Sequence, residues 1–287
     1  MKIVLKITGF ILLLFVAMVV FVQSCATADL RTETVKTHPD EEKGRRLLRE
    51  AFDAHGGKNW QDLETYEIKL HDQYFGFMGK MGNPYPGNEA TLLLQYIPNS
   101  YNGRAIFQKG KKKGEVWGLQ AWKSYLQKPG GDLIFKHDKD IEFLLPTYQY
   151  FIELPIRIQK ATVVSYAGED TMEGKTYDLV FATWNKAQPQ RGVDQYVLWI
   201  NRQTKLIDRV DFTVRDFFNF LKGTLHYEDY RDIDGLKIPF FMPAENKMGK
   251  GNLHEMKIID VKFNPFEKDE LLPDKSLRYI GDDKPQG

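Results

Sequence analysis

The residues that could carry chemistry are few and widely spaced. The six histidines are His38, His55, His71, His137, His226 and His254, and no two stand at the short spacing of a metal-ligand pair. His71-Asp72 and His137-Asp138 are adjacent, but neighbours on a strand point to opposite faces, so adjacency alone makes no acid–base unit. None of H-E-x-x-H, G-x-S-x-G, G-x-x-x-x-G-K-[ST] or C-x-x-C occurs. One thiol is present, at Cys25. A lone cysteine excludes an internal disulfide and leaves a single sulfur open to modification. A hydrolase assembled from distant Asp, Glu and His is a spatial question that sequence leaves open. The expectation is therefore a binding protein, not an enzyme, with no metal and no cofactor.

The surroundings of Cys25 carry the strongest local signal. Lys2 and Lys6 lead into an apolar run from Ile7 to Val22. At about 16 residues the run is short for a bilayer span of roughly 20. A basic start, an apolar middle and small residues at the end describe a secretory signal. A short anchor helix with an incidental cysteine is the alternative. Val22-Gln23-Ser24-Cys25 resembles the lipobox of bacterial lipoproteins. The resemblance implies removal of residues 1–24, acylation of Cys25 (a palmitate acceptor) and attachment to the membrane through this N-terminal lipid anchor. Ala26 stands where an aspartate would favour the inner membrane, and no acidic run follows. The resemblance thus implies the outer membrane, on its periplasmic face. Residues 25–40, polar and threonine-rich, read as a flexible tether.

Hydrophobic residues make up 42% of the chain and charged residues 28%, the range of a globular protein. Loss of Lys2 and Lys6 with the signal leaves 38 basic against 39 acidic residues. A nearly neutral chain has no general attraction for nucleic acid, and none is expected as a partner. No compositional break divides residues 41–287, which read as one domain.

The elements that would position any site are mostly strands. Tyr177–Trp184, Asp194–Ile200 and Lys205–Val214 are rich in β-branched and aromatic residues and separated by turn chemistry. They form an antiparallel meander on which the rest is built. Leu47, Leu48, Ala51, Phe52 and His55 recur at helical spacing after Asp40-Glu41-Glu42, and Gly56-Gly57 closes that helix. His55 is expected to cap carbonyls of its last turn beside Trp60. A second helix opens at Asp138 and is expected to break at Pro146. The aromatic piece from Tyr148 to Ile156 can cover the open face of a sheet. The loop from Gly76 to Gly87 carries Phe77, Met78, Met81 and Tyr85; it reads either as a lid or lipid-touching tip, or as a loop folded over the core edge. Glu115–Gln127 reads as one strand segment, bent near Gly118 and Ala121. Asp234-Gly235 marks a hairpin.

Taken in order, Ala54-His55-Gly56-Gly57 with Trp60, Asp194-Gln195-Tyr196-Val197-Leu198-Trp199-Ile200-Asn201, Asp232-Ile233-Asp234-Gly235-Leu236-Lys237-Ile238-Pro239 and Phe263-Asn264-Pro265 resemble the LolA/LolB-like superfamily. The resemblance implies a mainly β fold, an incompletely closed antiparallel barrel of about 11 strands with covering helices. It also implies an apolar concave face that takes lipid or lipoprotein acyl chains. Residues expected to line such a cavity are Tyr66, Ile68, Leu70, Leu92, Leu94, Trp117, Trp122, Phe181, Tyr196, Leu198, Phe212 and Phe220. For any one of these, ordinary core is the plainer reading. An outer-membrane scaffold that docks a protein partner, with the barrel interior filled, is the competing role. The two differ in whether an interior cavity exists.

Overall fold

The computed structural model describes residues 27–216, 218–246 and 252–277. The signal run and Cys25 fall outside them. The strands are β1 Tyr66–Tyr74, β2 Glu89–Tyr96, β3 Gly103–Phe107, β4 Val116–Gln120, β5 Lys123–Gln127, β6 Leu133–Phe135, β7 Val163–Met172, β8 Lys175–Thr183, β9 Tyr196–Asn201, β10 Ile207–Thr213, β11 Lys222–His226, β12 Glu228–Ile233, β13 Leu236–Asn246 and β14 Asn252–Phe263. The α-helices are α1 Glu33–Thr37, α2 Glu41–Ala54, α3 Gly57–Asp62, α4 Gly76–Met81, α5 Lys139–Ile152 and α6 Leu154–Arg157.

All fourteen described strands join one antiparallel sheet in the order β6-β5-β4-β3-β2-β1-β14-β13-β11-β10-β9-β8-β7, with β12 paired to β13 off this path. Two runs of neighbouring strands are thus sewn together where β1 meets β14. The terminal strands β6 and β7 do not pair among the described residues, so the barrel is incompletely closed. The strand count exceeds the expected 11 because single expected segments divide. Glu115–Gln127 splits into β4 and β5 at Ala121 and Trp122, both left-handed (φ 49° and 61°). Gly118 allows a close approach: a Cβ there would sit 1.9 Å from the Tyr125 ring.

The interior face carries the main core, which includes Ile68, Leu70, Leu92, Leu94, Val180, Leu198 and Val210. On β8 and β9 the alternate phase is buried as well. Tyr177, Leu179, Phe181, Val197 and Trp199 form a second cluster with Val35 of α1. That covering corrects the expected tether. Thr32 caps α1 by accepting from the Val35 N–H, Val35 is buried, and Thr32 Oγ1 donates to the Ala167 carbonyl at 2.8 Å. Residues 28–37 pack because a single apolar residue and a capped turn suffice to cover an outer face that is already apolar.

α2 starts where Asp40 accepts from the Lys43 N–H at 2.9 Å, a side-chain cap on an otherwise unpaired donor. It buries Leu47, Leu48 and Ala51, and Gly44 lets it press on β7. Gly56 ends it in the left-handed region (φ 77°), after which the chain turns directly into α3. α5 does not break at Pro146; it runs through to Ile152. A proline inside a helix costs about 3 kcal/mol. Burial of Ile141, Leu144, Leu145, Tyr148 and Ile152, at roughly 1.5–3 kcal/mol for each large aliphatic side chain, outweighs it. α5 lies over β3, β4 and β5 and covers the open side of the sheet.

Candidate ligand-binding cavity

Under that cover is a cavity of about 640 Å³, within the ~300–1,000 Å³ range of small-molecule sites. Its floor is sheet: Tyr196 of β9, Phe212 and Thr213 of β10, Leu225 of β11, Ala244 of β13, His254 and Met256 of β14. Its roof is α5, through Phe143, Leu144, Thr147, Tyr148 and Phe151. Trp122 closes one side from the left-handed β4–β5 turn, its ring 4.8 Å from that of Tyr101. Phe151 and Phe212 meet across the cavity at 4.7 Å. At the rim stand Phe218, Phe220 and Leu221, with Gly79 and Gly82 of the α4 region opposite. Phe218 is 53% exposed and stacks on Phe220 at 5.3 Å; Phe77 of α4 is 77% exposed. Sheet alternation therefore supplies the apolar floor, and the helix supplies a lid with aromatic undersides.

Of the residues expected to line a cavity, Trp122, Tyr196, Phe212 and Phe220 do so. Tyr66, Ile68, Leu70, Leu92, Leu94, Trp117 and Leu198 belong to the packed interior away from it. Phe181 sits in the opposite cluster beneath α1 and does not face the interior. Period-two alternation separates the two faces of a strand but cannot say which one holds the space, and β8 and β9 bury both. The stretch from Tyr148 to Ile156 covers the opening as expected, and Tyr148, Tyr150 and Phe151 line the cavity.

Polar groups gather at two places on this wall. Asp194, before β9, accepts from Thr213 Oγ1 at 2.7 Å and from the Arg215 N–H at 3.0 Å. Burial pushes its carboxyl above the usual range, against those hydrogen bonds. The second place was not legible in sequence. Asp72 of β1 is fully buried. Its Oδ2 accepts from Tyr85 at 2.9 Å and from the Tyr148 hydroxyl, and its Oδ1 accepts from His254 Nε2. Tyr74 stacks on the His254 ring at 4.2 Å with 12° between planes. Burial, and then the neighbouring Asp72 carboxylate, hold the Tyr85 and Tyr148 hydroxyls protonated far above the usual range. These groups lie up to 182 positions apart; only the β1–β14 pairing brings them together. The period-two argument holds for the adjacent His71, which turns outward to Glu89 at 3.7 Å.

His55 is not part of this wall. Its Nδ1–H donates to the Ala51 carbonyl at 2.7 Å, the expected capping contact, and its ring meets Tyr230 edge-on at 5.5 Å. The remaining histidines pair singly: His137 with Glu142 at 2.8 Å, His226 with Glu245 at 3.8 Å, and His38 with Thr37 at 2.8 Å. Among the described residues no group of three His, Cys, Asp or Glu side chains is placed to hold a metal ion.

No family model and no curated protein matches the sequence. Solved structures do match its fold. A putative outer membrane lipoprotein-sorting protein domain from Vibrio parahaemolyticus aligns with TM-score 0.51 at 13% identity, over 81% of this chain and 97% of that one. A LolA superfamily protein from Nitrosomonas europaea aligns with TM-score 0.52 at 12% identity, over 82% and 99%. A DUF1329 family protein from Desulfovibrio piger aligns with TM-score 0.51 at 11% identity, over 83% and 100%. The fold is that of the LolA-like open barrels.

Proposed function

We propose that this chain is a lipid-anchored binding protein of the bacterial cell envelope that holds an acyl chain or a similar apolar ligand inside the open barrel. The observation that carries the reading is the cavity of about 640 Å³ with its aromatic and aliphatic wall. Apolar surface of this kind gains from leaving water at roughly 25 cal/mol per Å². An interior space is also what separates a carrier from a scaffold with a filled core. The fold shared with a LolA superfamily protein agrees with the reading.

The route of the N-terminus supports it further. Ala28 is buried against the 215–222 segment, where Arg215 donates to its carbonyl at 2.8 Å and Lys222 donates to that of Asp29 at 2.9 Å. That segment carries Phe218 and Phe220 at the cavity rim. A lipid on Cys25 would therefore enter the bilayer next to the mouth. The ligand is taken up and released by differential affinity as α5 and the rim part, with no covalent step. In this reading the protein sits in the outer membrane, facing the periplasm.

Native mass spectrometry of the signal-free protein, with displacement of a fluorescent fatty acid, tests the reading. One apolar ligand per chain is expected, and no binding in either measurement overturns it. Palmitate labelling lost in Cys25→Ala tests the anchor separately.

A further inference from the structure

We propose that His254 is the polar anchor of the cavity, and that the ligand is an amphiphile with an uncharged, hydroxyl-bearing head, of the monoacylglycerol type, in preference to a fatty acid. The proposal rests on the acyl-chain reading above. A carboxylate can only accept, so the contact from His254 Nε2 to Asp72 fixes Nε2 as the protonated nitrogen. Asp72 is held on its other oxygen by two tyrosines, and the stacked Tyr74 fixes the plane of the imidazole. The ring is thus oriented by two contacts, one at Nε2 and one on its face. What it has left to offer is Nδ1, which makes no hydrogen bond to any described residue, and His254 lines the cavity.

A hydroxyl satisfies Nδ1 in either protonation state. It donates to the lone pair of a neutral imidazole and accepts from the N–H of a charged one. An alkane leaves the nitrogen unpaired in an apolar space, which is unfavourable. An anionic head meets a second obstacle. The lining includes the carboxylates of Glu142, Asp194, Asp216 and Glu245, against Lys222 as its lysine, and Lys222 Nζ already donates to the Asp29 carbonyl. Like charges in a poorly hydrated cavity repel strongly, so an uncharged head is preferred over a carboxylate.

The test compares a monoacylglycerol, the fatty acid of the same chain length and the matching alkane as competitors of one fluorescent probe. Wild type is expected to bind the monoacylglycerol at least about fivefold more tightly than the alkane, the worth of one hydrogen bond, and more tightly than the fatty acid. His254→Phe keeps an aromatic ring against Tyr74 and is expected to erase the preference for the monoacylglycerol over the alkane. His254→Gln retains a donor for Asp72 and is the variant to use if the phenylalanine protein does not fold; it keeps part of the preference. The proposal is overturned if the fatty acid binds as well as the monoacylglycerol, or if His254→Phe weakens all three alike, as a purely structural clamp would. If wild type binds none of the three, it is the acyl-chain reading itself that fails.

Discussion

The Ala28 backbone N–H donates to the Asn219 carbonyl at 2.8 Å, one residue from each of the rim phenylalanines. Cys25 precedes Ala28 by three residues, a reach of roughly 10 Å when extended. On the proposed reading, an acylated Cys25 would hold the cavity mouth against the bilayer. Among the described residues four large apolar side chains are more than half exposed, and they sort by this geometry. Phe218 lines the mouth, and Phe77 stands on α4, whose Gly79 also lines it, whereas no residue of β6 lines it and Ile259 lies on β14 beyond the lining residues His254 and Met256. Fluorescent labels placed singly at these four positions of the acylated protein, in vesicles carrying chain-quencher lipids, should be quenched at 77 and 218 and unquenched at 134 and 259. Equal quenching at all four would refute the orientation.

His55 makes stability depend on pH. It is 1% exposed, and burial lowers its pKa from 6.5 to about 4, against a small rise from the Ala51 carbonyl. The neutral ring is what fits: Nδ1–H donates to Ala51, and Nε2 faces the Ile207 N–H at 3.5 Å. In the unfolded chain the ring takes a proton below about 6.5, whereas the folded ring resists until about 4. The unfolded state therefore binds more protons in that window, and stability falls as pH drops through it. The loss by the lower end is about 3 kcal/mol from this residue. Urea denaturation at neutral pH and near pH 4.5 should show it, and His55→Gln should flatten that part of the profile. An unchanged pH slope in the variant would remove His55 as the cause.

What the residues disclosed, and what they hid, follows from range. The Tyr177–Val214 meander, α2 and the Asp234-Gly235 turn rest on periodicity and local turn chemistry, and each is present. The open-barrel fold was implied instead by a resemblance, carried by the order of the motifs from Ala54-His55-Gly56-Gly57 to Phe263-Asn264-Pro265. Within the expected tether, residues 28–37 pack instead, because composition cannot register that Val35 joins Phe181 and Trp199, whose own outward phase is apolar. Phe181 was misplaced for the same reason. The Asp72–His254 pair was out of reach because its two strands, far apart in the chain, become neighbours only through the long-range β1–β14 pairing. The Pro146 break failed because one lost hydrogen bond is small beside the face that α5 buries.

Gly44 tests a conflict between local and tertiary preference. It sits inside α2, where alanine is favoured by about 1 kcal/mol. Yet a Cβ there would come within 2.8 Å of the Ser165 carbonyl carbon and 2.9 Å of the Tyr166 nitrogen. Both are backbone, and the same stretch is stapled to the helix start, with Tyr166 N–H donating to the Asp40 carbonyl at 2.8 Å. Neither side can yield cheaply, and overpacking typically costs 1–3 kcal/mol. Gly44→Ala should therefore destabilise, by up to about 2 kcal/mol in chemical denaturation once the helix gain is set against the overpacking. A stabilised variant would mean that the α2–β7 contact is looser than this spacing.

Glu153 and Arg157 close the base of the interior and should show the largest single-site effect. Their side chains are 0% and 3% exposed and 2.9 Å apart. Glu153 also accepts from Tyr66 at 2.8 Å, Gln149 at 2.8 Å and the Asn99 N–H at 3.2 Å, while the Arg157 guanidinium lies 4.2 Å over the Tyr101 ring. Desolvating both charges offsets much of their attraction, so the pair as a whole adds little; removing one partner strands the other. Glu153→Gln preserves shape and some hydrogen bonding yet leaves Arg157 charged and buried, at a cost of about 3–5 kcal/mol. The double variant Glu153→Gln/Arg157→Met should lose less than Glu153→Gln alone. A double variant as unstable as the sum of the two single variants would show that the two side chains act independently, and that the 2.9 Å contact carries no coupling.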